Sequence, residues 1–247
     1  MLSYIILGII QGLTEFLPVS SSGHLVLFGK LLHVGANQVA ISVVLHLGTV
    51  LAVLVFFRKE LFKFFRERKL FLLAATVILI TGVIGILGKG FFEGLFTRSK
   101  VVAVAWLFTG AVLLFTRNFM RSDRSSLNFK DAVILGFAQA LAIIPGVSRS
   151  GITISTLLFR GVQRNLAFTF SFLVSVPLIL GAALLEARGI QSLAAEDIYK
   201  LLAGFIFSFV TGLLALFLLR YVIQRSKFYY FGYYCMLMAA LTFIFIK

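Results

Sequence analysis

The stretch ILGIIQGLTEFLPVSSSGH at residues 6–24 returns without a gap at residues 134–152 as ILGFAQALAIIPGVSRSGI. The identities at this offset of 128 are Ile6/Ile134, Leu7/Leu135, Gly8/Gly136, Gln11/Gln139, Leu13/Leu141, Val19/Val147, Ser20/Ser148, Ser22/Ser150 and Gly23/Gly151. Each copy is an apolar run that ends in a Ser-Gly knot. The other polar residues differ: Glu15 and His24 stand in the first copy, Arg149 and Thr153 in the second. One acid, one imidazole, one guanidinium and several hydroxyls in matched but non-identical frames point to two halves of one site.

Composition sets the solvent. Of 247 residues 60% are hydrophobic and 13% charged, with mean hydropathy +1.05, whereas soluble domains run near roughly 45–50% apolar and about 25% charged. A chain this apolar turns most of its surface to lipid, which predicts an all-α polytopic membrane protein. No cleavable leader is expected, because no basic residues precede the first apolar run. The single cysteine, Cys235, excludes an internal disulfide. The net charge of +14 fits basic residues crowding cytoplasmic loops better than it fits nucleic acid.

Apolar runs fall at about 4–17, 24–32, 39–57, 70–88, 101–116, 132–144, 151–159, 166–187, 198–219 and 228–246. Moving the 39–57, 70–88 and 101–116 runs by 128 lands on later runs, so the repeat covers the chain as about 1–122 and 129–247. The polar link RSDRSSLNFK at 121–130 joins the copies within a single membrane domain. The runs flanking each knot are short, which suits re-entrant segments better than full spans. Each half therefore reads as a re-entrant helical hairpin plus three transmembrane helices. Three crossings per copy is an odd number, so the copies have opposite orientations, an inverted-topology repeat with its site near the midplane.

Loop charge gives an independent reading. The segment RKELFKFFRERK at 58–69 is strongly basic and is placed in the cytoplasm. Alternation then puts 117–130, 160–165 and 220–227 inside, where the inside segments hold 15 Lys/Arg against seven outside. The first hairpin is thus expected to enter from outside and the second from the cytoplasm.

Glu15 is the acid lodged deepest in an apolar run, and an ionisable group at that depth is a functional candidate. Gln11, one turn earlier, extends the same polar stripe. Together they offer oxygen ligands for Mg²⁺ or Ca²⁺, with phosphate supplying others. Arg149, between Ser148 and Ser150, suits an anion, because a guanidinium fork matches phosphate and nearby helix N-termini add N–H donors. A structural pair with Glu15 is the alternative, and the two roles are compatible. Gly146 and Gly151 permit a tight turn. His24 closes the first knot; His33 and His46 lack its setting and read as structural or interfacial. Ser20, Ser21 and Ser22 are either helix caps or include a nucleophile beside a histidine base. Phe56, Phe57, Phe62, Phe64, Phe65 and the Phe228–Tyr234 cluster read as interface anchors.

These residues resemble the bacitracin-resistance family of undecaprenyl pyrophosphate phosphatases over essentially the whole chain. The resemblance rests on Gln11 to Glu15, on PVSSSGH at 18–24 and on PGVSRSGIT from Pro145 to Thr153. It implies an integral membrane hydrolase that trims a C55 polyprenyl diphosphate to the monophosphate. That product recycles the carrier for peptidoglycan synthesis, and the activity gives bacitracin resistance. It also implies the inverted repeat, a divalent-cation requirement, a homodimer, and a pocket open to the outer face. Glu15, Ser21, His24, Ser148, Arg149, Ser150 and Thr153 match family site positions. Where the family has Glu or Gln, this chain has Gln11, which leaves one carboxylate fewer for a metal. On this reading Ser21 or His24 attacks the terminal phosphorus, while Arg149, the hydroxyls of Ser148, Ser150 and Thr153, and a cation on Glu15 and Gln11 neutralise the diphosphate. The competing class is a polyprenyl-phosphate carrier built on the same broken helices.

Overall fold

The computed structural model describes residues 1–31, 38–96, 98–120, 123–187, 190 and 195–245. The repeated segments form two helix pairs: α1 (Leu2–Phe16) with α2 (Ser21–Leu31), and later α8 (Phe129–Leu141) with α9 (Arg149–Phe159). Between and after them run α3 (Gln38–Phe56), α4 (Arg58–Arg66), α5 (Arg68–Leu87), α6 (Lys89–Phe96), α7 (Ser99–Phe115), α10 (Arg164–Ala187), α11 (Ala195–Gln224) and α12 (Tyr230–Phe245). No strand forms among the described residues; one isolated bridge joins Arg124 to Val162.

Five helices are long and apolar enough to cross a membrane, covering Val39–Phe56, Arg68–Leu87, Lys100–Phe119, Arg164–Ala187 and Asp197–Gln224. This is a polytopic helical membrane protein. Leu2–Phe16 and Tyr230–Ile244 are apolar but shorter. At 1.5 Å per residue the 16 residues of α12 reach about 24 Å, short of a core of about 30 Å. The basic segment expected as a loop at 58–69 instead contains α4. There Phe64 turns inward while Phe62 and Phe65 stay exposed, so amphipathicity along one helix face organises what charge alone marked as loop. The short α6 likewise forms inside the expected loop 89–100.

Small residues set the helix contacts, as lipid-embedded packing requires. Helix α1 lies against α11, and a Cβ at Gly12 would come within 2.1 Å of Thr211 Oγ1 and 2.5 Å of the Ser208 carbonyl. The corresponding pair from the other half, α8 against α5, is also in contact. There the Thr81 hydroxyl donates to the Gly136 carbonyl at 3.1 Å. Helices α7 and α12 pack through Gly110 and Gly232, and α3 packs on α10 and α11. Phe57, Phe64 and Phe228 are buried in the core and not exposed as interface anchors.

The link between the halves is built around Asp131, which is 1% exposed. Arg124 binds both its oxygens, at 2.6 and 2.9 Å, and Arg160 Nε donates to it at 3.0 Å. Asn128 and Asp131 also exchange hydrogen bonds in a capping box at the start of α8. Arg124 and Arg160, read from sequence as loop charges, are therefore structural. Burial alone would raise the Asp131 pKa, but Arg124, the Asn128 amide and Arg160 outweigh it and hold the carboxyl below its ordinary value. A depressed carboxylate stabilises the fold above its unfolded pKa near 4 and loses that contribution as pH falls through the folded value. Both arginines are about a third exposed, so Asp131→Asn is expected to cost about 2 kcal/mol at pH 7. Thermal melts from pH 7 to pH 3 check this: the wild type should lose its advantage over the variant in the acid limb.

Candidate active site

Both second helices of the pairs start on a serine cap. The Ser20 hydroxyl accepts the Gly23 N–H at 3.3 Å, and at the equivalent position Ser148 accepts the Gly151 N–H at 3.1 Å. Ser20 takes a left-handed φ of 67°, uncommon for a residue with a Cβ. The turns differ before the caps: Pro18 stands where the second copy has Gly146, whose φ of 95° suits glycine. Helix α7 braces both tips. Trp106 Nε1 donates to the Val19 carbonyl at 2.8 Å, and the Thr109 hydroxyl donates to Gly146 at 3.3 Å and accepts from the Ser148 N–H at 3.2 Å. The tips also touch directly, through the Gly146 N–H on the Ser22 hydroxyl at 3.4 Å; Ser22 in turn lies 3.1 Å from Ser20 Oγ.

Ser21 and Arg149 occupy the same repeat position, 128 residues apart, and each opens its helix. They converge on one carboxylate. Ser21 Oγ donates to Glu15 Oε2 at 2.6 Å, while Arg149 Nη2 binds Glu15 Oε1. Gln11 Nε2 adds a bond to Oε2 at 3.0 Å, and His46 Nε2 lies 3.7 Å from the same oxygen. The Glu15 side chain is 2% exposed and that of Arg149 24%. A buried carboxylate is tolerable because donors from three helices, α1, α2 and α9, compensate it. The cleft beside the pair is lined by Glu15, Phe16, Arg149, Ser150, Ser171, Phe172 and Ser175. It thus has a cationic donor, hydroxyls and an aromatic wall, and two helix N-termini are close by.

The remaining sequence candidates are placed differently. Ser150 lines the cleft. Ser148 is committed as a cap and lies 3.3 Å from Ser150 Oγ. Thr153 is fully buried; its hydroxyl donates to the Arg149 carbonyl at 2.7 Å and meets Ser171. His24 is not joined to Ser21, Glu15 or Arg149. Its Nδ1 faces the Ser20 carbonyl at 2.7 Å and its Nε2 the Tyr234 hydroxyl at 2.8 Å, with Trp106 packed edge-on. His33 lies outside the described residues.

His46 and Tyr234 are the polar groups that sequence reasoning passed over. His46 is an ionisable residue inside the apolar run of α3, and the rule that singled out Glu15 applies to it equally. Tyr234 carried no such signal, since an aromatic near a helix end is ordinary.

The model of the family described as bacitracin resistance protein BacA matches residues 4–241. The chain belongs to the BacA family. Three relatives within it carry the name undecaprenyl-diphosphatase. One from Halothermothrix orenii is 41% identical, covering 97% of this chain and 96% of the relative. One from Carboxydothermus hydrogenoformans is 39% identical over 93% and 91%. One from Thermotoga petrophila is 38% identical over 97% and 98%. BacA membership thus extends to both helix pairs and every residue of the cleft.

Proposed function

We infer that the chain is an undecaprenyl-diphosphatase, a membrane hydrolase that releases phosphate from undecaprenyl diphosphate and returns the monophosphate carrier to envelope synthesis. The names of its full-length relatives support this. The observation that carries the chemistry is the short Ser21–Glu15 hydrogen bond, 2.6 Å, with Arg149 on the other carboxylate oxygen. Neither the geometry nor the relatives' names favour the carrier alternative.

The mechanism follows from these contacts. The diphosphate enters the cleft with its prenyl chain in lipid, and Arg149 forks onto the terminal phosphoryl oxygens. Phosphoryl transfer depends on such positioning and charge stabilisation more than on covalent help. Glu15 takes the Ser21 proton as Ser21 Oγ attacks the terminal phosphorus. The P–O bond to the inner phosphate breaks, and the polyprenyl monophosphate leaves with the electron pair. Glu15 passes its proton to the departing monophosphate; water then attacks the phosphoserine with the Glu15 carboxylate as base, and that proton goes to Ser21 Oγ as phosphate leaves. Ser150 hydrogen-bonds the phosphoryl group, while Ser20, Ser22, Ser148, Thr153 and Gly146 keep the two tips in register. His24 holds the first tip through Ser20 and Tyr234.

A divalent cation fits this donor set as a two-point anchor. Gln11 is fully buried and among the described residues its Oε1 has no hydrogen-bond partner, which costs about 1–3 kcal/mol in apolar surroundings. Gln11 and the Glu15 carboxylate would hold the ion, and the diphosphate would complete its oxygen shell. When bound, the ion neutralises phosphate charge.

The inverted repeat belongs to the same reading. It is supported by the exchanged packing of α1 on α11 and α8 on α5 and by the equivalence of Ser21 with Arg149. Loop charges orient the chain in the cell membrane, and the family resemblance favours a pocket that opens outward. A homodimer rests on the family resemblance alone. In proteoliposomes loaded with undecaprenyl diphosphate, the protein is expected to release phosphate. Movement of labelled lipid without phosphate release would overturn the hydrolase in favour of the carrier.

A further inference from the structure

A second polar cavity opens along α10, toward the helix start and away from the candidate site. It has a volume of about 170 Å³ and is walled by Phe57, Glu60, Asn165, Phe168, Thr169 and Arg220. A seal of rings separates the two spaces. Phe168 packs on Phe57 at 5.3 Å and on Phe172 at 5.1 Å, and Phe172 meets Phe16 at 5.5 Å. Phe16 and Phe172 face the catalytic cleft, while Phe57 and Phe168 floor the second cavity. The second cavity is therefore a separate compartment.

It sits where the end of α3, the start of α10 and the end of α11 meet, beside Arg58, Lys59 and Arg164. Loop charge assigns that end to the cytoplasmic surface. Its polar groups are unemployed. Among the described residues, Glu60, Asn165 and Thr169 make no side-chain hydrogen bond or ion pair, and Arg220 has only the Phe56 ring, 6.0 Å away. Glu60 and Arg220 have opposite charges and wall the same space, yet do not pair with each other.

An opposite pair held apart across one cavity is complementary to a zwitterion. The guanidinium suits a phosphodiester and the carboxylate an ammonium, while Asn165 and Thr169 add neutral hydrogen bonds. A bare phosphate or an anionic headgroup would satisfy Arg220 but face Glu60, which selects against it. The bilayer supplies the matching group in quantity. On the lipid side of Arg220, Phe217 is 62% exposed, with Leu214 and Tyr221 also open, so acyl chains have an apolar helix face to follow. We propose that this cavity binds the headgroup of a zwitterionic phospholipid with a primary ammonium, its phosphate on Arg220 and its ammonium on Glu60.

The test is lipid retention on the purified full-length protein, measured by native mass spectrometry. The protein is drawn from bilayers holding equal phosphatidylethanolamine, phosphatidylcholine and phosphatidylglycerol. Phosphatidylethanolamine should be retained roughly tenfold over phosphatidylcholine, whose quaternary ammonium cannot donate a charge-assisted hydrogen bond to Glu60. Glu60→Gln should erase that preference and Arg220→Gln should lower retention of both lipids. Both variants should keep wild-type phosphate release in detergent, which shows that they fold. Equal retention of the two zwitterionic lipids overturns the proposal. So does a preference for phosphatidylglycerol, or displacement of bound lipid by millimolar inorganic phosphate, since either marks a plain anion site. If the variants do not fold, stepwise N-methylation of the headgroup decides on wild-type protein alone: retention must fall as N–H donors are removed.

Discussion

Arg149→Ala is expected to lower phosphate release from undecaprenyl diphosphate by about 10³-fold or more, the scale on which an arginine at a transferring phosphoryl group acts. Two losses combine in that variant. The terminal phosphoryl group loses its fork of donors, and Glu15 is left buried without its cationic partner, which raises the cost of the carboxylate that Ser21 needs. Arg149→Lys separates the two. It keeps the charge but loses the bidentate geometry, so it should restore protein yield to near wild type while activity stays depressed by roughly 10²-fold. Initial rates on detergent-solubilised protein, scaled to folded fraction, give both numbers. An Arg149→Lys variant with wild-type turnover would reduce the residue to a structural counter-ion.

The second large effect concerns the nucleophile. Ser21→Ala should abolish turnover to a similar extent, on the order of 10³-fold, because among the described residues no other hydroxyl bonds the Glu15 carboxylate. His24→Gln should cost far less, about tenfold. Its ring engages Ser20 and Tyr234 rather than Glu15 or Arg149, so the change loosens the first tip without removing a reacting group. Trapping the phosphoenzyme gives an independent reading. An adduct that survives acid and is lost in base is the phosphoserine expected here. One that survives base and is lost in acid is a phosphohistidine and would transfer the attack to His24.

Much of this was legible in the chain for a specific reason. A nine-identity repeat with unequal polar residues marked the two segments whose tips meet in the structure. Glu15 stood out because burying a carboxylate in an apolar run is costly. Arg149 stood out because serines and glycines surrounded it. What the sequence could not supply was direction. His24 and His46 carry the same imidazole, yet the one expected to reach the site points at Tyr234, and the one set aside lies 3.7 Å from Glu15. A ring's target depends on helix rotation and on partners as far as 210 positions away, which local spacing does not encode. The link at 121–130 shows the same gap. Arg124 there and Arg160 in a second basic loop read as cytoplasmic loop charges, but both close on a buried Asp131 where the start of α8 and the end of α9 meet. Basic residues marked 58–69 as an expected cytoplasmic loop and gave no sign that α4 would form among them.

A double-mutant cycle in phosphate release across Glu15→Gln and Arg149→Met most directly tests whether the two helix-pair tips make one catalytic unit. If they do, the double variant should be scarcely slower than the worse single one, because either change already dismantles the same ensemble. Two losses that simply multiply would mean that carboxylate and guanidinium act separately, and that the paired tips do not form a shared diphosphate site.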